Sequence, residues 1–416
     1  MGATRRPLIS SWEIQLDTWP RKVIAITLVL VACGILIYRT SWLFLAAWIT
    51  RTNTNDPAIY EKAVKYDPKN ADYHFVLAQI YNYSTQYLNL PRAGEEYEKA
   101  VELNPYRPLH WLELSKYYEQ QGNLERCRYA MKVALERDPN YAQTHWAAAN
   151  LYIRLNDLKA ADFELRRTAD LDVSYLIQVL DLVWRFYEDP DRIMSTHIPN
   201  TRDANLTALN YFVAQKSERG AAIAWTRLKV FETKPQDRFD YIEYLVGLGK
   251  PHQAWDVFAF PGATSSLPVI FNPSFETEPY NGAFDWRFAS TDHAEARRDT
   301  TTAKDGLASW LVTFDGKENL DYSGLEHWVP VTKGRRYDLS FWMKTEAIST
   351  NEGMFVDVNG QASEKQIGTT YWQQFTIPFI ASADLVTVRL RRVPSRKFDN
   401  MLKGKVWVDQ FELVEK

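Results

Sequence analysis

Between Tyr60 and Val173 the apolar positions recur at the spacing of amphipathic helices, and the helices recur as a block. Tyr60, Ala63 and Pro68 return as Tyr97, Ala100 and Pro105, then as Met131, Ala134 and Pro139, so the block is 37 residues long and then 34. The three additional residues fall within Asn82 to Pro91, where turn-forming residues predict a loop and added length costs little closure entropy. Tyr81, Tyr118 and Tyr152 hold one position of a first helix, and Ala93, Cys127 and Ala161 hold one position of a second. A large ring set against a small side chain is what two closely crossing helices need. The pattern predicts a stack of helix pairs, an array that serves protein binding far more often than catalysis.

Farther along, Tyr175 to Tyr187 and Asn205 to Gln215 stay helical without a clean period, and Asp189 to Asp203, with Pro190, His197 and Pro199, reads as a loop. Asp240 to Phe258 reads as a degenerate repeat, with Tyr244, Gly249, Ala254 and Phe258 at the aromatic, turn and second-helix positions and Pro251 in a first turn. At Phe260 to Ala263 the period changes to two. Tyr337, Leu339, Phe341 and Met343 alternate with Asp338, Ser340, Trp342 and Lys344; Val386, Val388 and Leu390 alternate with Thr387, Arg389 and Arg391. Short alternating segments split by glycine, asparagine and proline predict a two-sheet β-sandwich. With Met354, Val356 and Val358 also turned inward, alternation gathers Trp342, Phe355, Asp357, Arg389 and Arg391 on the outside. Rings and planar cations there suit a saccharide, above all an acidic one, or equally a protein contact.

Val23 to Tyr38 is an apolar or small-residue run, extended past Arg39, Thr40 and Ser41 by Trp42 to Ile49. About 20 residues of helix cross a bilayer, so one transmembrane helix is expected. Trp19 marks one interface, and Arg39, Trp42 and Trp48 mark the other. Arg5, Arg6, Arg21 and Lys22 precede the span and predict a cytoplasmic N-terminus, a bias that Arg39 and Arg51 weaken. Leu30-Val31-Ala32-Cys33 also fits a lipoprotein cleavage pattern, and a cleaved signal is the third reading; the apolar Gly-Ile-Leu-Ile-Tyr that follows Cys33 favours an uncleaved anchor. The expected organisation is 1–22 tail, 23–50 transmembrane helix with a juxtamembrane extension, 51–260 helical repeats and 261–416 sandwich.

Composition adds exclusions. With 416 residues, 46% apolar residues and a net charge of -3, ordinary globular packing in two or three domains is expected. There is no basic block of the kind nucleic-acid binding shows. Cysteine and histidine show no metal spacing, and phosphate loop and nucleophile elbow are both absent, so no enzyme class is indicated. Acid pairs such as Glu95-Glu96 and Asp189 with Asp191 read as solvated charge, because glycoside hydrolysis needs two carboxyls converging in a cleft. His197 alone in a polar segment reads as neither ligand nor base.

Trp111, Leu114, Tyr118, Gly122, Ala134 and Pro139 resemble the tetratricopeptide repeat family; the copy from Ala142 departs from it, with Asn156 for the turn glycine and Val173 for the closing proline. From Val269 to Val414 the chain resembles jelly-roll carbohydrate-binding modules. That likeness is carried by Asn272-Pro-Ser-Phe-Glu276, Trp286, Gly306, Gly334-Arg-Arg-Tyr337-Asp-Leu-Ser-Phe341, Trp372 with Phe375, and Val406-Trp-Val-Asp409-Gln-Phe-Glu-Leu413. It implies a structural Ca²⁺ at Glu276 and Asp409, the positions matching the opening glutamate and closing aspartate. The two resemblances together imply a membrane-anchored scaffold of the bacterial inner membrane with its outer domains in the periplasm. Its repeats would bind partner proteins and its jelly roll a glycan, in polysaccharide synthesis or export. The alternative is an accessory structural subunit of a membrane complex with no sugar binding.

Overall fold

The computed structural model describes residues 18–52, 55–260, 269–398 and 400–416. Arg5, Arg6 and the expected boundary at 261 lie outside these. The chain divides into two compact units, one ending at Tyr175 and one running from Leu176 to Lys416.

The first unit is helical. Helix α1 (Trp19–Ile49) is followed by α2 (Pro57–Tyr66) and three hairpins: α3 (Ala71–Tyr83) with α4 (Leu90–Leu103), α5 (Pro108–Gln120) with α6 (Leu124–Arg137), and α7 (Ala142–Arg154) with α8 (Leu158–Leu171). Tyr81, Ala93, Tyr97, Cys127, Met131 and Ala161 are all buried, as the register requires. The second helices start at side-chain caps: Asn89, Asn123 and Asp157 accept from the backbone N–H three residues on. The turns between helices use the left-handed region at Gly122 (φ 71°) and Asn156 (φ 55°). At Asn156 the backbone N–H groups return to Ile153 and Tyr152, just as Gly122 and Asn123 return to Glu119 and Tyr118. Asparagine tolerates this conformation nearly as well as glycine, so the departure noted at Asn156 leaves the turn intact.

A polar clasp also recurs. His74 Nε2, Trp111 Nε1 and His145 Nε2 each donate to the carbonyl of a proline six residues back, Pro68, Pro105 and Pro139, at 3.2, 3.0 and 3.1 Å. The two histidines also reach a second helix, His74 to Glu96 at 2.6 Å and His145 to Glu164 at 2.5 Å. Burial pushes the His74 imidazole down, but Glu96 and the Pro68 carbonyl outweigh it and hold its pKa above the ordinary value.

The second unit opens with α9 (Leu176–Tyr187), α10 (Pro190–Thr196), α11 (Arg202–Ala214), α12 (Glu218–Leu228), α13 (Phe239–Gly247) and α14 (Pro251–Ala259). The segment expected to be a loop from Asp189 contains α10: Pro190 starts it, and Asp189 caps it by accepting from Asp191 and Arg192 N–H. Ten strands follow: β1 (Arg287–Phe288), β2 (Ala294–Asp299), β3 (Ser309–Asp315), β4 (Tyr322–Pro330), β5 (Arg336–Ile348), β6 (Phe355–Val358), β7 (Gln361–Ala362), β8 (Gly368–Ile380), β9 (Leu385–Arg392) and β10 (Lys403–Glu415). They form two antiparallel sheets, β1-β4-β9-β6-β7 and β2-β3-β10-β5-β8. Tyr337, Phe341, Met354, Val356, Val358, Val388 and Leu390 all enter one core between the sheets, as alternation predicts.

Within the second unit, α14 is stapled to the sandwich. Phe258 meets Phe271 and Phe284 at 5.1 and 5.8 Å, Trp255 meets Phe284 at 5.5 Å, and Phe284 meets Trp328 at 6.4 Å. Arg287 lies over the Trp328 ring at 3.3 Å and reaches Glu243 of α13 at 3.1 Å. At Gly282 a Cβ would stand 2.6 Å from the Phe239 ring, so this approach is open only to glycine.

Candidate functional site

In the first unit, polar side chains from α3, α4 and α5 converge. Phe75, Ala78 and Asn82 lie on one stripe of α3, and Asn82 is buried although polar. Its carboxamide is closed off from solvent and lies among the Tyr83 and Tyr97 hydroxyls, which interact with it and with one another. Next to Asn82, the Tyr83 hydroxyl donates to Glu113 at 2.8 Å, and Lys116 donates to the other Glu113 oxygen at 2.7 Å. Burial first, then the Glu113 charge, pushes the Tyr83 phenol up to about 12, so it stays a donor. Sequence reading passed over this group. The signal was a polar residue on the apolar stripe of α3.

In the sandwich, the five residues expected on one surface do point away from the core, but they do not meet. Trp342 is on β5, whereas Phe355 and Asp357 are on β6 and Arg389 and Arg391 on β9, so they belong to the outer faces of opposite sheets. Alternation assigns inside or outside to a residue but not to a sheet.

On the β6/β9 face, cross-strand register sets Arg287 opposite Glu326, Glu326 opposite Arg389, and Arg389 opposite Asp357. Glu326 lies 3.7 Å from Arg287 and 3.6 Å from Arg389. Asp357 and Arg391 are 3.9 Å apart, too far for a hydrogen bond, and Asp357 Oδ1 and Arg391 Nε are buried without partners. Burial pushes the Asp357 pKa up, against the pull of Arg391 and Arg389. Phe355 is buried, with Lys365 Nζ 5.8 Å from its ring centre, so it offers no open stacking face.

On the other face Trp342 is covered by Lys304 Nζ at 4.1 Å. Trp407, which the outward pattern had not singled out, is buried there; its Nε1 donates to Asp299 at 2.8 Å and Lys344 Nζ sits 4.8 Å over its ring. Cation contacts thus already occupy both indoles.

Glu276 and Asp409 do hold one loop together. Glu276 accepts from Leu307 and Ala308 N–H at 2.9 and 3.2 Å, and Asp409 Oδ2 accepts from Lys304 and Asp305 N–H at 2.7 and 3.0 Å. Asp409 Oδ1 accepts from Gln410 N–H at 2.7 Å. Calcium needs six to eight oxygens, whereas here amide N–H groups fill the carboxylates, and no group of three His, Cys, Asp or Glu is placed to hold a metal among the described residues. The donor set fits a loop clasp and does not fit the ion.

Neither a family model nor a curated protein matches the chain. Among solved structures it is similar to PilF of Pseudomonas aeruginosa, at 13% identity and TM-score 0.29 over 55% of this chain and 95% of that one. It is similar to PilW, a type IV pilus biogenesis factor, at 17% and 0.26 over 53% and 90%. It is also similar to the carbohydrate-binding module TmCBM61, solved with β-1,4-galactotriose, at 18% and 0.26 over 36% and 100%. Helix pairs and two antiparallel sheets, described above from the residues, carry the fold assignment.

Proposed function

We propose that this protein is a non-enzymatic scaffold, anchored by α1 in a bacterial inner membrane with its N-terminus cytoplasmic and its repeats and sandwich in the periplasm, whose repeats hold a partner protein. Two observations support the anchor: α1 has a mean hydropathy of 2.2 over its most apolar stretch, and none of that stretch is buried. Partner binding rests on the stacked helix pairs and on the exposed Tyr83 ring and Lys116 ammonium gathered on Glu113.

The test is co-purification of the full chain in mild detergent, comparing Tyr83→Ala, at the exposed ring, with Arg128→Gln on the third hairpin's side. Loss of a stoichiometric partner, fivefold or more, in Tyr83→Ala alone supports the reading, as removal of a contact tyrosine worth about 1 kcal/mol or more requires. Equal retention in both variants overturns it.

The second reading gives the sandwich a glycan, in polysaccharide synthesis or export, and is favoured by the partly exposed Arg389 and Arg391 guanidinium groups on the β6/β9 face. A glycan array on the full chain, with Arg391→Ala and Trp342→Ala tested separately, reports on the two faces independently. If neither changes a signal, or no signal exists, the accessory structural subunit is the better description.

A further inference from the structure

Where α1 leaves its exposed apolar stretch, one of its faces becomes covered. Trp42, Leu45, Ala46 and Ile49 are partly or fully buried, while Leu43, Phe44 and Trp48 on the same turns stay exposed. The spacing of three and four residues shows that α2 packs along one stripe of the helix. Trp19 to Arg39 is about 30 Å at helical rise, one hydrocarbon thickness, so the point where α2 docks is the level of the lipid headgroups.

At that level α1, α2 and the link to α3 enclose a cleft of about 460 Å³ lined by Tyr38, Arg39, Trp42, Lys65, Tyr66 and Lys69, among others. Its aromatic wall is ordered: Trp42 lies 5.9 Å from Tyr38 and 4.8 Å from Tyr66. Its cations are not spent. Among the described residues Arg39, Lys65 and Lys69 form no ion pair, although ion pairs recur along the repeats. The one acidic group in the lining is Asp67, which already accepts from Asn70 at 3.3 Å.

We infer that this cleft binds the headgroup of an anionic phospholipid, the phosphate against Arg39, Lys65 and Lys69 and the acyl chains running back into the hydrocarbon along exposed Ile35 and Leu36. The inference rests on the membrane-anchor reading of α1. Three cations outside any ion pair, facing one aspartate and set beside an interfacial aromatic cluster, match the charge and layering of such a lipid. A bound lipid would also fix the angle at which the first repeat leaves the bilayer, through the Trp42–Tyr66 contact.

The test uses the full chain in nanodiscs of equal phosphatidylglycerol and phosphatidylethanolamine, released into native mass spectrometry. Retained phosphatidylglycerol should exceed phosphatidylethanolamine, and the triple variant Arg39→Gln, Lys65→Gln, Lys69→Gln should lose at least tenfold of that excess. Each basic residue near an anionic surface contributes on the order of fivefold. Arg51→Gln, which removes a nearby charge outside the cleft, should keep the excess. Equal retention of the two lipids, or an unchanged triple variant, overturns the inference. Displacement of the lipid by inorganic phosphate alone overturns it in favour of a soluble anion site. Release of the wild-type chain from membranes by alkaline wash would overturn the anchor and the inference together, a result distinct from an anchored chain without lipid preference.

Discussion

The repeat unit and the sandwich both bury polar groups, but they satisfy them over different distances along the chain. In the repeats each clasp spans one helix pair: Tyr81 donates to Glu61 and Tyr118 to Glu98, each 20 residues back, and Arg92 and Arg126 join the same two glutamates. In the sandwich the clasps are used once and reach far. Lys304 N–H meets Asp409 across 105 positions, and Arg392, fully buried, donates to Asn319 and Leu320 more than 70 positions away and to Glu352, Thr350 and Asn400. Local clasps can be lost one copy at a time, and the third copy has lost this one, with Lys132 and Ala160 where Glu98 and Arg126 stand one repeat earlier. Non-local clasps close a whole domain and cost more chain entropy to form.

The largest expected effect follows from that contrast. Arg392→Met leaves five acceptors unfilled at the closed end of the sandwich, and its denaturant midpoint should fall by an amount worth about 3–5 kcal/mol. Arg92→Met, a half-exposed arginine in a repeat clasp, should cost less than about 1 kcal/mol. If the two cost the same, the distinction between local and domain-closing clasps is wrong.

The pH response sharpens the comparison within the sandwich. Burial lowers His327 to about 4 from 6.5, and burial raises Asp285 to about 6 from 3.8 despite its amide donors from Tyr280 and Trp286. As pH falls from 6.5 to 4 the unfolded chain takes up a proton that folded His327 refuses, so stability is lost. Over about pH 6 to 4 folded Asp285 binds a proton that the unfolded chain does not, so stability is gained. Each effect is worth up to about 3 kcal/mol, and they oppose one another. Relative to wild type, Asp285→Asn should therefore lose stability as pH is lowered through this window, and His327→Gln should gain it. Parallel curves for all three proteins would mean that neither group is held as described. His74 in the repeats has a raised value, so its contribution is present below pH 6.5 and fades as pH rises above it.

What could be read from the sequence divides along the same line. Tyr81, Ala93 and their equivalents were legible because a repeat states each local contact three times. Inside and outside were legible in the strands because alternation is local too. Illegible was the sheet to which a strand belongs: β5 pairs with β8 and β10, and β9 with β4 and β6, and such pairing is decided by residues far apart. Trp342 was therefore grouped with Arg389 across the thickness of the sandwich. The helix α10 was missed because a cap and a proline started only seven residues.

Within the repeats, Tyr81→Phe and Tyr118→Phe should each cost about 1 kcal/mol by thermal or denaturant unfolding, the net worth of one hydrogen bond. Tyr152→Phe in the copy without the clasp should cost less than about 0.5 kcal/mol. A uniform cost across the three would show that ring packing, not the hydroxyl, is what the tyrosine contributes.

The smallest expected effect concerns the loop from Lys304 to Ala308. A structural calcium at saturation would add about 3 kcal/mol or more and shift Tm by several degrees. Because amides already fill Glu276 and Asp409, chelation should leave Tm unchanged, while Asp409→Asn, which trades a charged acceptor for a weaker one and a donor facing N–H groups, should lower it. The two results together separate a clasp from an ion site. A chelator-sensitive Tm would mean that the loop turns its carbonyls inward around a cation and that the amide contacts belong to another arrangement. An insensitive Tm with a destabilised Asp409→Asn would leave the sandwich closed by its own backbone, as Arg392 closes it at Asn319 and Thr350.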